Sequence, residues 1–248
     1  MIMQLRAGPR YPDSIFRGLV VALLAVSLGL ISSVIILRGV MPPSYNGISN
    51  ATQIVASLTA AGAAAWTYYR RNPDLLLAHG AFAGATWTLA NTFWYAYFAI
   101  IGEGLNYPTV ADLGFAGVFL FLIAGYVEGL ERGPLPSWYT APIALPLVGI
   151  GLGLVYLLGA NGKTLTTLVV FVLAAVLLSE ALLRSAYRYP PIFAATVAFV
   201  LAHLFNSLDS TLPSIPWEFG VEAVGPMAAI AFSLFALSYL GYHREAVA

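Results

Sequence analysis

Cysteine is absent from the 248 residues, and only 9% of them are charged, against about 25% in soluble domains. Without cysteine the chain has no disulfide, no thiolate nucleophile and no cysteine-ligated metal. The basic and acidic residues number 11 each, so the net charge is zero. A protein without a basic surplus is poorly suited to phosphates, which argues against a nucleic-acid partner.

The sequence is instead rich in apolar residues, which make up 60% of the chain and give it a mean hydropathy of +0.83. A water-soluble monomer of this size could not remove so much apolar surface from water. The composition therefore predicts an all-α, polytopic membrane helix bundle. Residues 1–248 are expected to form a single integral membrane domain whose principal partner is the lipid bilayer.

Proline, glycine and polar breaks separate eight apolar runs, each close to the length that crosses a bilayer. The predicted transmembrane helices are 15–40, 47–69, 76–101, 110–131, 138–159, 165–187, 192–208 and 221–242. With this count one side holds nine arginines and the other holds only Arg38 and Lys163. The positive-inside rule then predicts a multi-pass protein of the cell membrane with cytoplasmic N- and C-termini.

Several landmarks recur in the two halves of the chain, which suggests a parallel 4+4 repeat of residues 15–132 and 137–244. Asn91 in the third span corresponds to Asn206 in the seventh, and Arg71 and Pro73 correspond to Arg188 and Pro190. Chance recurrence of turn residues at helix boundaries is the alternative explanation.

Polar residues within apolar helices are costly unless they are partnered, so their positions are informative. A group of them, together with aromatic residues, falls in the predicted outer ends of spans three, four, seven and eight. We predict a ligand-binding cleft formed by Trp87, Asn91, Trp94, Tyr95, Glu103, Asp112, His203, Asn206 and Asp209. The alternatives are an interfacial aromatic belt and, for Asp112, stabilisation of a helix N-terminus, with Thr109 as its N-cap.

The sequence lacks the residues that most cofactors need for binding. Retinal needs a buried lysine, and the single lysine, Lys163, lies in a predicted outer loop. His79 and His203 differ by about 10 Å in depth and are poor haem co-ligands, although His79 and His243 could meet. No zinc-binding His-Glu-x-x-His motif or phosphate-binding loop is present. We therefore predict no cofactor, no metal and no catalytic residues.

The stretch 85–130 carries Trp87, Asn91, Trp94 and then the turn Pro108-Thr109-Val110-Ala111-Asp112. This pattern resembles the multi-spanning N-terminal membrane sensory region of prokaryotic diguanylate cyclases and histidine kinases. The resemblance implies a sensory function, with Asn91, Trp94, Pro108 and Asp112 as family-defining positions. Only four residues follow Arg244, so we expect no output domain. The protein would then signal through a protein partner or as a homo-oligomer.

The sequence is compatible with four functions. The first is a stand-alone sensory or receptor-like membrane protein that binds a small molecule or lipid from the outer side. The second is an accessory structural subunit of a larger membrane complex, such as a respiratory one, and the third is a small-molecule transporter. An enzyme using Glu103, Asp112, His203 and Asp209 as acid–base groups is the least favoured, because no nucleophile or metal set accompanies them.

Overall fold

The computed structural model describes residues 11–37, 41–42, 44–70, 73–101, 109–212 and 220–242. Eight α-helices and no strand are present in these ranges. The helices are α1 (Tyr11–Ile36), α2 (Ser44–Arg70), α3 (Leu75–Ile101), α4 (Val110–Gly129), α5 (Ala141–Leu158), α6 (Gly162–Arg184), α7 (Pro190–Thr211) and α8 (Gly220–Gly241). A short 3-10 helix, Ser137–Thr140, leads directly into α5.

The chain is a helical bundle, as predicted, and six of its described helices are long and apolar enough to cross a membrane. These six are α1, α4, α5 with its 3-10 turn, α6, α7 and α8. Large apolar side chains are exposed on all eight helices, as expected of a bundle surrounded by lipid acyl chains. α2 and α3, each 27 residues long, lie outside the six, and both contain many hydroxyl, amide or aromatic side chains of low hydropathy.

Six helices form a closed ring in the order α2, α3, α4, α6, α7, α8, with α8 returning to α2. α1 packs outside this ring against α2 and α8, and α5 packs outside it against α6. The interior of the ring holds an aromatic core that includes Trp87, Phe119, Phe199 and Phe232. Each half of the chain therefore contributes three helices to the ring and one helix to its periphery.

Small residues allow neighbouring ring helices to approach closely. A Cβ atom at Gly84 of α3 would lie 2.7 Å from the Ser57 carbonyl oxygen of α2, and one at Gly114 of α4 would lie 2.7 Å from the Ala90 Cβ of α3. Neither separation is compatible with a side chain, so these two contacts require glycine. Such close packing of backbones is the usual source of helix association within lipid, where apolar burial supplies no net drive.

The two ends of the bundle differ in charge. One end, here called the arginine end, is where α1, α3, α5 and α7 begin, and it holds Arg17, Arg70, Arg132, Arg184 and Arg188. The other, where α2, α4, α6 and α8 begin, is called the cavity end, and its one described basic residue is Lys163.

Ion pairs and hydrogen bonds connect the helices at the arginine end. Arg184 donates to Glu180, its i, i+4 neighbour on α6, over 2.6 Å, and to the Leu130 carbonyl over 2.7 Å. Arg188 pairs with Glu131 across 3.1 Å. These contacts join the end of α4 to the end of α6 and the start of α7.

Some predicted helix boundaries shift. α1 begins at Tyr11 and ends at Ile36, four residues earlier at both ends, and the Trp66 indole donates to Asp13 in its first turn. α7 continues to Thr211 rather than ending at 208. The reason is that its terminal polar side chains are satisfied: Ser210 donates to the Ser207 carbonyl, and Thr211 shares a 2.6 Å hydrogen bond with Thr167 of α6.

Candidate ligand-binding cavity

A cavity of about 350 Å³ opens at the cavity end of the ring, between the two halves of the chain. Its volume lies within the range of small-molecule sites, roughly 300–1,000 Å³. Five of the six ring helices contribute to its wall, and α6 is absent from the described lining. The side chains and backbone that line it belong to Tyr45, Asn46, Ser49, Asn50, Gln53, Trp87, Asn91, Trp94, Tyr95, Thr109, Asp112, Phe115, Ala202, His203, Asn206, Glu222, Val224 and Gly225.

The structure brings seven of the nine residues of the predicted cleft together around this cavity. They are Trp87, Asn91, Trp94, Tyr95, Asp112, His203 and Asn206. Asp209 is outside the lining but lies close enough to Glu222 for their charges to interact. Glu103 lies outside the described residues. That these side chains contact a ligand stays a prediction.

α2 supplies a polar wall that the sequence reasoning missed. Tyr45, Asn46, Ser49, Asn50 and Gln53 all line the cavity. Their spacings of three and four residues place them on one helical face, and this periodicity was the available signal. The alanine and threonine residues interspersed in this span obscure the periodicity.

Amide side chains on α2 and α3 form a continuous hydrogen-bonded chain along this wall. Asn91 Nδ2 donates to Gln53 Oε1 over 2.9 Å, and Gln53 Nε2 donates to Asn50 Oδ1 over 2.9 Å. The hydroxyl of Tyr45 donates to the backbone carbonyl of Glu222 over 2.6 Å and so ties α2 to the start of α8. The wall is therefore ordered by its own contacts.

Aromatic rings close the cavity towards the arginine end. Trp87 and His203 meet edge to face with ring centroids 4.9 Å apart, and Phe115 lies 4.9 Å from Trp87. Phe199 and Phe119 pack against the His203 ring at 4.6 and 4.9 Å. We call these five residues the aromatic floor. It separates the cavity from the arginine end.

Two nitrogen atoms of the aromatic floor lack hydrogen-bond partners. Trp87 Nε1 and His203 Nε2 are buried, and no described residue bonds to either of them. The two side chains are only 4% and 5% exposed. An unsatisfied buried polar atom costs about 1–3 kcal/mol, and native proteins contain few of them. Both residues line the cavity, although the two nitrogen atoms themselves are covered by their neighbours.

The first turn of α4 fixes the position of Asp112. Thr109 is the N-cap, as predicted: its hydroxyl accepts from Asp112 N over 3.1 Å, and Asp112 Oδ2 accepts from Thr109 N over 2.6 Å. This capping box accounts for an acid at this position, because it satisfies otherwise unpaired helical N–H groups. Asp112 nevertheless also borders the cavity, so the local and the ligand-binding explanations are compatible.

The described residues contain no group of three or more histidine and acidic side chains arranged to hold a metal ion. His79 lies at the arginine end, where its Nε2 is 3.6 Å from Glu128 Oε2, whereas His203 is in the aromatic floor. His243 lies outside the described residues.

Comparisons of the chain with protein-family models, with curated proteins and with solved structures find no match. The chemistry of the cavity is therefore the guide to function.

Proposed function

We propose that the chain is a receptor-like membrane protein that binds a small molecule in the cavity between its two halves. The observation that carries this proposal is the 350 Å³ cavity, which residues from five of the six ring helices line. A mixed wall of amide, acidic and aromatic side chains gives both shape and polarity to select a ligand. The sensory family that residues 85–130 resemble would have the same kind of function.

The proposed topology has eight spans, with the cavity end outside the cell and the arginine end in the cytoplasm. α2 and α3 contact the apolar helices α8 and α4, respectively, and 27 residues extend about 40 Å, which exceeds the bilayer core. The excess of arginine at the opposite end supports the orientation through the positive-inside rule. A ligand would then enter from the outer side.

The arrangement of the ring supports the proposed 4+4 repeat. The neighbours α1–α2, α2–α3 and α3–α4 have counterparts in α5–α6, α6–α7 and α7–α8. The contact of α2 with α8 likewise has a counterpart in that of α6 with α4. Asn91 and Asn206, which correspond in the sequence, both line the cavity.

A receptor-like function is favoured over transport because access to the cavity is one-sided. In the aromatic floor the His203 ring packs against Phe119 and Phe199, and both phenylalanines are fully buried. A transporter site needs routes to both sides, usually through broken helices near the midplane. We propose that ligand binding changes the association of the bundle with a protein partner or a second copy.

A thermal-shift screen on three purified proteins tests the proposed cavity. A library of small polar molecules and lipids is compared on the wild type, Asn206→Trp and Leu201→Trp. The first variant places a large ring at an exposed position in the cavity wall, and the second places the same ring on an exposed position of α7 outside the described lining. We expect compounds that stabilise the wild type and Leu201→Trp but leave Asn206→Trp unchanged.

Absence of any such compound would overturn the proposal. Counterflow of a compound that meets the criterion, measured in proteoliposomes, separates the receptor from the transporter. No exchange supports a receptor, and saturable exchange establishes a transporter in its place.

A further inference from the structure

The charge of the cavity wall indicates which class of ligand it accepts, given the cavity-binding function proposed above. Asp112 and Glu222 both line the cavity, whereas no lysine or arginine is present in its described lining. Asp209 adds a third acidic group within electrostatic reach of Glu222. These acids would repel an anion, whereas a bound cation would reduce the repulsion between them.

Helix ends alone do not account for this grouping of acids. Asp112 is in the first turn of α4 and Glu222 in the first turn of α8, where the positive end of each helix dipole favours an acid. That explanation applies to each helix separately and would hold on any face of it. In the structure both acids border the same cavity, although they come from different halves of the chain.

The remaining wall suits the apolar part of an organic cation. Trp94 and Tyr95 line the cavity and are 37% and 40% exposed, and the ring of Phe115 lies in the aromatic floor. Aromatic faces attract cations through their quadrupole and also accept apolar groups. The volume of 350 Å³ equals about a dozen water molecules at 30 Å³ each, which suits a small organic molecule better than a lone metal ion.

We infer that the ligand is an organic cation, either a protonated primary amine or a quaternary ammonium ion, with an apolar body. Its ammonium group faces the carboxylates of Asp112 and Glu222, and its apolar body contacts the aromatic floor. The amides of α2 and α3 that line the cavity accommodate its remaining polar groups.

Three probes of nearly equal shape test this inference: phenethylamine, phenethyl alcohol and phenylpropionate, which are cationic, neutral and anionic at neutral pH. Binding is measured by isothermal titration calorimetry on the full chain in mild detergent. We expect phenethylamine to bind at least about tenfold more tightly than the alcohol, a difference equivalent to 1.4 kcal/mol. The same comparison is made between choline and its uncharged carbon isostere, dimethylbutanol.

The double variant Asp112→Asn/Glu222→Gln removes both charges while keeping the acceptor oxygen that Thr109 N needs. It should weaken phenethylamine binding about tenfold and leave the affinity for the alcohol unchanged. Glu128→Gln, which removes an acid at the arginine end, should change neither affinity. An unchanged thermal unfolding midpoint for each variant shows that the fold is retained.

Equal binding of the amine and the alcohol, tighter binding of phenylpropionate, or no loss on removing the two charges would overturn the inference. Binding of the alcohol or the propionate that disappears in Asn206→Trp would leave the cavity-binding function standing with a different ligand class. Absence of saturable binding by both phenethylamine and choline also overturns the cation inference, while the three-protein screen decides the cavity-binding function independently.

Discussion

The arginine end and the cavity end of the bundle use similar polar residues in different ways. At the arginine end acids and bases pair with one another: Arg184 bonds to Glu180 and Arg188 to Glu131, and His79 Nε2 lies 3.6 Å from Glu128. At the cavity end the amides also bond to one another, but Asp112 and Glu222 border an open volume whose described lining contains no lysine or arginine. The difference shows that polar residues in a membrane bundle either close a helix junction or form a pocket, and their partners distinguish the two.

The aromatic floor separates these two ends, and breaking it should have the largest effect on stability. Phe199 is fully buried and contacts Trp87 and His203. We expect Phe199→Ala to lower the free energy of unfolding by about 3–5 kcal/mol, because it leaves a cavity in a packed core. Equilibrium unfolding in mixed micelles measures the change.

Phe82 provides the matched control, since its ring is 58% exposed on the outside of α3. Phe82→Ala should cost less than about 1 kcal/mol. Similar losses for the two variants would contradict a packed floor between the two ends.

Arg184→Ala should produce an intermediate loss, confined to the arginine end. The substitution leaves Glu180 and the Leu130 carbonyl without their charged donor, and both side chains of the ion pair are less than one-third exposed. We expect about 2–3 kcal/mol of destabilisation. Unfolding in mixed micelles and hydrogen exchange at the ends of α4 and α6 measure it.

Arg188→Ala breaks a pair whose side chains are 50% and 58% exposed, so it should cost no more than about 1 kcal/mol. If Arg188→Ala were as destabilising as Arg184→Ala, the partly buried junction would not be what stabilises this end.

Gly225→Ala should have only a small effect on stability and act on the cavity end. A Cβ atom at this position would collide with Ser49 Oγ and lie 3.1 Å from Gln53 Nε2. Because a serine hydroxyl can move to another staggered rotamer, we expect about 1 kcal/mol of destabilisation or less. The displaced wall should weaken phenethylamine binding about tenfold, as measured by calorimetry.

The double variant Gly225→Ala/Ser49→Ala removes the colliding oxygen and should restore binding. Failure of this rescue would mean that the wall formed by α2 and α8 does not shape the cavity.

The sequence predicted the helices because their cause is local. Runs of apolar residues ending at Pro42, Pro73 and Pro190 define segments with a single stable conformation in a bilayer, where backbone groups must bond internally. The Thr109 cap and the Glu180–Arg184 pair could also be predicted, since each involves residues within one turn of the same helix.

The candidate site could be predicted only in part. Trp87, Asn91 and His203 were identifiable as costly polar or amphipathic groups at depth. The wall on α2 was not, because the orientation of its polar face towards the cavity depends on the contact of α2 with α8, which is far away in the sequence. The position of Asp209 also depends on tertiary packing. The sequence pattern predicts this residue in the cleft, but the structure places it outside the lining.

The sequence by itself determined an all-helical chain with membrane-spanning segments and arginines grouped at alternate helix junctions. These properties follow from hydropathy, proline positions and charge, which act over a few residues. Only the tertiary structure decided that six helices form a ring, that Glu222 joins Asp112 at one cavity, and that Trp87 and His203 meet in its floor. Those features arise from side-chain packing between distant helices, and no local pattern encodes them.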